Sequence, residues 1–162
     1  MIVFLKYLKF LLPVITAALI FPGCYPGAVG PPGPEGKPLA WTEMKFEQRK
    51  AHMRRKVLPP AADLFESWRP GRYADADCTL CHGPDARKQK FSMPTKHLPR
   101  LSGALLLGPE FAEHPDTTRL KLNRLVPLMT DALGVKPFSI ITRRGFGCYS
   151  CHLGPDGPVF GN

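Results

Sequence analysis

Two pentapeptides, Cys78-Thr79-Leu80-Cys81-His82 and Cys148-Tyr149-Ser150-Cys151-His152, hold four of the chain's five cysteines and two of its five histidines. In each, two thiols stand one helical turn apart and an imidazole follows directly. Thiols at that separation can each close a thioether onto a vinyl group. The adjoining imidazole then lies where it can ligate iron, which is the pattern of covalent c-type haem attachment. The expectation is therefore two haem c groups, held through Cys78, Cys81, Cys148 and Cys151 and ligated by His82 and His152. The second nitrogen of each imidazole is expected to donate to a backbone carbonyl, which fixes its tautomer. Two Cys-x-x-Cys pairs also suit structural zinc or two disulfides. Neither alternative needs the histidine that follows both pairs, and the long gap between the pairs is unlike a compact zinc ribbon.

The sixth iron position can draw on Met44, Met53, Met93, Met129, His52, His97 and His114. Met129 precedes its own pentapeptide on an apolar stretch, where a helix–turn–helix return brings a side chain back over the haem. It is read as a ligand, the alternative being a core filler. An internal repeat aligns Val57-Leu58-Pro59-Pro60-Ala61-Ala62-Asp63 with Leu125-Val126-Pro127-Leu128-Met129-Thr130-Asp131. The proline precedes its first cysteine by 19 residues in one copy and 21 in the other. Ala61 thus takes the place of Met129, and alanine cannot ligate iron. For the first haem the choice is Met93, in Phe91-Ser92-Met93-Pro94, with His97 as runner-up, or else no sixth ligand at all. His52 and Met53 rank lower because their helix is strongly basic, and His114 reads as exposed.

The elements that must position these groups are helical. Trp41 to about Leu58 is expected to form one helix, capped by Thr42, with Phe46, Met53 and Val57 on one face. Arg49, Lys50, Arg54, Arg55 and Lys56 make the remainder either a solvated face or a docking patch. Each unit then reads as a helix, a turn (Arg69-Pro70-Gly71, or Gly134 to Pro137) and a short helix carrying the pentapeptide. His82 to about Asp116 is expected to be irregular and draped over the first haem. Leu153 to Asn162 is a Gly/Pro tail.

A chain of 162 residues bounds one small domain or two half-sized modules. Its 19 prolines and 15 glycines imply much loop, and two haems can stand in for missing core. Residues 1–23 read as a targeting segment, with Lys6 and Lys9 before an apolar run from Phe10 to Phe21. Cys24, the odd cysteine, follows at once and resembles a bacterial lipobox cysteine, which implies lipid attachment. Residues 24–40 read as a Pro/Gly tether, and 41–162 as the folded domain, with haem units at about 53–116 and 117–162. Without the leader, 20 basic side chains face 13 acidic ones, which suits an acidic redox partner or an anionic membrane face. Nucleic acid is not expected. Neither a Ser/His/Asp set nor a phosphate-binding glycine loop occurs.

Residues 53–152 resemble small dihaem c-type cytochromes of bacterial envelopes, many of them lipoproteins. The stretch Asn123 to Gly154, with Gly-Cys-Tyr-Ser-Cys-His-Leu-Gly, is similar to a unit of the tetrahaem cytochrome subunit of photosynthetic reaction centres. In that family a helix supplies a distal methionine and the next helix carries the pentapeptide. Met93-Pro94 is similar to the ligand loop of class I cytochromes c. The resemblance implies a mainly α fold of two helix–turn–helix units with long irregular loops. It also implies an electron carrier rather than an enzyme, on the periplasmic side of a bacterial membrane and lipid-anchored there. The alternative is a peroxidase-like enzyme or small-ligand sensor working at an open first haem.

Overall fold

The computed structural model describes residues 27–104 and 108–159. The leader 1–23 and the lipid-attachment candidate Cys24 lie outside the described residues. What is described is mainly helical, with isolated bridges in place of named strands. The helices are α1 (Phe46–His52), α2 (Leu58–Trp68), α3 (Thr79–His82), α4 (Pro109–Glu113), α5 (Pro115–Leu120) and α6 (Val126–Leu133). Among the described residues no helix is long and apolar enough to cross a membrane.

Two rods built on one plan organise the chain. In the first, α1 passes through a π-turn, Met53–Val57, into α2; in the second, α5 passes through a π-turn, Lys121–Leu125, into α6. Proline explains both turns. Pro59 and Pro127 lack a backbone N–H, and in a regular helix their rings would strike the carbonyls of Arg55 and Asn123. Widening the turn ahead of each proline relieves that clash, and the N–H groups of Leu58 and Val126 reach back five residues, to the carbonyls of Met53 and Lys121. The aligned repeat is therefore also a structural one. Each π-turn packs on the other rod: the first against α6, the second against α2.

The core at this crossing is small. It holds Val57, Ala61, Leu64 and Phe65 from the first rod and Thr130 and Leu133 from the second. His52 is buried with them, and its Nε2 donates to the carbonyl of Ala132 at 2.6 Å, tying the end of α1 to α6. Trp41 packs edge-on against the same imidazole. Gly134, at φ 64°, ends α6, and Val135 N–H returns to the carbonyl of Thr130.

Two expectations for the first rod need correction. The helix expected over Trp41 to Leu58 breaks at Met44 and Lys45, which are extended, and it continues past Leu58 through two prolines to Trp68. Thr42 caps nothing; Glu43 Oε2 accepts from Ala40 N–H at 2.7 Å instead. The described part of the expected tether is folded. Gly30 and Leu39 are joined by a 2.9 Å bond, Gly33 and Lys37 by one of 2.8 Å, and this turn closes over Met44, which is 1% exposed. Pro and Gly forbid a helix there, but fixed and permissive φ values suit a tight reversal.

Replacing His52 with alanine removes the donor for the half-buried Ala132's carbonyl and leaves a void between the rods. The expected cost is about 2–4 kcal/mol. Thermal unfolding should show the melting temperature falling by roughly 10 °C.

Candidate functional site

The first pentapeptide occupies α3. Asp77 starts it by accepting from the N–H of Thr79 at 2.8 Å and from the Thr79 hydroxyl, and these bonds hold its carboxyl below the usual carboxylate range. The imidazole of His82 is half-buried, with the ring of Phe91 edge-on at 5.5 Å. Burial pushes its pKa down, offset in part by the nearby Phe91 backbone. That approach falls short of a hydrogen bond, so among the described residues Nδ1 is buried without a partner, and the backbone-carbonyl bond expected of this imidazole is not formed. The loop that sets Phe91 here is strained, because Lys90 and Phe91 both take positive φ, 50° and 55°. Gly83, at φ 81°, follows His82 so closely under the ring of His97 that any Cβ would strike that ring.

The second pentapeptide is held differently. The short helix expected here is a single 3₁₀ turn, Cys148–Ser150. Ser150 Oγ accepts from Gly147 N–H at 3.0 Å, and His152 N–H bonds to the carbonyl of Cys148 at 3.0 Å. His152 is buried, and its Nδ1 donates to the carbonyl of Pro99 at 2.7 Å, leaving Nε2 as the nitrogen with a lone pair. Its pKa is lowered by burial, against the opposing Pro99 carbonyl. The segment supplying that carbonyl is laced along the motif. Thr95 N–H bonds to Cys151 O at 3.1 Å, Leu101 N–H to Leu153 O at 2.9 Å, and Arg100 to the carbonyls of Gly154 and Pro155. Of the segment expected to drape over the first haem, Thr95 to Leu101 thus forms a wall of the second site, while Pro84, Arg87 and Phe91 line a cleft beside the first pentapeptide.

The fold brings the two pentapeptides together. The Cys151 thiol is pushed up to about 12 by burial and by the nearness of Cys81 and Cys148. Burial raises Cys81 and Cys148 as well, while the ammonium of Lys121, on the second π-turn, pulls all three thiols down. All four pentapeptide thiols are free and half-buried. Among the described residues no three His, Cys, Asp or Glu side chains converge as a donor set for a metal ion.

Beside the first pentapeptide a cleft of about 740 Å³ is lined by Arg54, Leu58, Cys78, Pro84, Arg87 and Phe91. A second hollow of about 670 Å³ shares Arg54, Arg87 and Phe91 with it and adds Phe46, Lys50 and Lys90. Both volumes fall in the range of small-molecule and cofactor sites, about 300–1,000 Å³. The first cleft also carries Lys88 and the carboxylates Asp77 and Asp85, so its rim is mixed in charge, whereas the second hollow is lined by cations and aromatic rings and favours an occupant carrying carboxylates.

The distal candidates fare unequally. Met129 is half-buried on α6 and Met93 half-buried in its loop, beside Pro94. His97 is half-buried, and its Nε2 accepts from Gln89 at 3.1 Å. Met44 is enclosed in the N-terminal turn, and the Nε2 of His52 is spent on Ala132, so burial rather than solvation sets His52 aside. Met53 is half-buried at the start of the first π-turn, and His114 is exposed. Asp77, Pro99, Lys121 and Arg87 went unread in the sequence. Asp before Cys-x-x-Cys is a legible cap signal, whereas the other three owe their place to chain crossings that no local pattern encodes.

Gly83→Ala should cost about 2–4 kcal/mol, combining positive φ with the collision against His97. Gly71, at φ 78° with open space around it, is the control. Gly71→Ala should cost only about 1 kcal/mol, for φ alone. Urea midpoints of the two variants test the difference.

No family model, curated protein or solved structure matches the chain, so its function is argued from its own residues.

Proposed function

We propose that the chain carries two covalently bound c-type haems and passes electrons on the periplasmic side of a bacterial membrane, anchored there through lipidated Cys24. The observation that carries this reading is His152, whose Nδ1 is fixed by the carbonyl of Pro99 while Nε2 keeps its lone pair for iron, beside two thiols in thioether spacing. His82 departs from the pattern of His152: its Nδ1, the nitrogen expected to donate to a carbonyl, has no hydrogen-bond partner among the described residues. The small protein core fits the haem reading. Each haem would be held by one pentapeptide's two thiols and its histidine, so the lack of a converging set of three donor side chains among the described residues does not oppose it.

When bound, haem supplies one-electron chemistry at its iron. The chain's own parts then have assignable tasks. Cys78, Cys81, Cys148 and Cys151 tether; His82 and His152 ligate; Pro99 orients the second imidazole; Arg54 and Arg87 receive carboxylates; Phe46, Leu58 and Phe91 exclude water. Met129 is the distal ligand proposed for the second site. For the first site it is Met93, since Ala61 cannot serve and His97 is engaged by Gln89. Methionine in that role would raise the potential relative to a second histidine. A redox partner with an acidic face suits the basic rim of the second hollow.

A second reading stands on Ala61, buried at the place equivalent to Met129: a first haem without a ligand from its own rod, open to peroxide or a small gas. Rapid carbon monoxide binding by half of the haem favours it over the carrier; two inert haems exclude it.

Chain matured in a haem-attaching periplasm should show, by intact mass and pyridine haemochrome, two covalent haems. Cys78→Ser with Cys81→Ser should leave one, and any other count overturns the proposal. Met129→Ala should change the spectrum of one haem and lower its potential, measured by redox titration; an unchanged spectrum removes Met129 from the ligand set.

A further inference from the structure

The loop between α6 and the second pentapeptide carries the two most exposed large aliphatic side chains among the described residues, Ile140 at 66% and Ile141 at 95%. It is a built feature. Phe138 N–H bonds to Phe146 O at 2.8 Å, Ser139 N–H to Arg144 O at 2.9 Å and Arg143 N–H to Ser139 O at 2.8 Å, which closes the base beneath the tip. Gly145, at φ 105°, passes so close to Pro137 that any Cβ would strike its carbonyl, and Arg143 is held at φ 53°. Thr142, Arg143 and Arg144 are exposed beside the isoleucines. No acidic residue occurs between Asp131 and Asp156, so the tip is purely cationic.

An isoleucine pair held out into water by a closed, strained loop gains nothing within the chain. A specific protein interface buries about 800 Å² per partner, far more than a four-residue tip supplies. A lipid surface asks for less: shallow insertion of apolar side chains with cations at headgroup depth. We propose that loop 137–146 is a membrane-surface contact that inserts Ile140 and Ile141 into the headgroup–acyl boundary of an anionic bilayer, with Arg143 and Arg144 on lipid phosphates. The inference does not depend on haem. It gives the chain a membrane contact separate from Cys24, next to the second pentapeptide.

The test uses the full chain carrying Cys24→Ser, so that acylation is removed, in co-sedimentation with phosphatidylcholine vesicles with and without phosphatidylglycerol. The leader is common to all variants, so differences report on the loop. Ile140→Ser with Ile141→Ser should weaken partition onto anionic vesicles at least about tenfold. Arg143→Gln with Arg144→Gln should weaken it roughly tenfold on anionic vesicles and leave neutral vesicles unaffected. Far-UV circular dichroism should match the parent for both, since neither pair is buried. Unchanged partition of the isoleucine variant overturns the proposal. So does its loss of a protein partner from a membrane extract with vesicle binding intact, which would make the tip a protein contact.

Discussion

Pro59 and Pro127 cannot complete a regular helix, and the two wide turns that result decide how the chain packs. A proline two residues past each turn removes a donor and pushes on a carbonyl four residues back, so the backbone widens ahead of it. Each widened turn lies against the helix that follows the other. The rods cross there, with Val57, Ala61, Leu64, Phe65 and Leu133 between them and His52 bonded across to Ala132. From that crossing each rod continues into a turn and then a Cys-x-x-Cys-His segment. The pairing of the two pentapeptides in space follows from the pairing of the prolines.

The two sites are nevertheless supported unequally. One segment, Thr95 to Leu101, lies along the second pentapeptide and supplies it with a carbonyl for His152 and a partly bonded edge. Among the described residues none gives His82 a comparable bond, so its Nδ1 stays buried without a partner, and a cleft opens beside Cys78 of the same pentapeptide. The inequality read from Met129 against Ala61 concerned distal ligands. The structure adds an inequality in how the two histidines are hydrogen-bonded, because a single connecting segment bonds to one of them.

Much of the helical plan was legible. The aligned Pro, Asp and apolar pairs mark two like rods, since proline and apolar spacing act over a few residues. The limits of the first rod were not, because two consecutive prolines read as a stop unless a wider turn precedes them. The segment 27–39 was misread because composition rules out helix without ruling out a turn that closes on Met44. His52 was set aside on the charge of its neighbours, yet a helix has two faces, and its own meets α6.

The sequence by itself determined the spacing of thiols and imidazoles on which the proposed chemistry rests. Thiols three apart, an imidazole after them, and the repetition of both are covalent facts that need no fold to be read. It also determined two proline-bearing helical rods, because those signals are local. Only the tertiary structure decided which carbonyl orients His152, that His82 finds none among the described residues, that the charge of Lys121 is felt by three of the thiols, and that Ile140 and Ile141 stand in solvent. Those depend on where distant segments cross, and crossings are fixed by burial and backbone hydrogen bonding summed over the whole chain rather than by any short stretch of it.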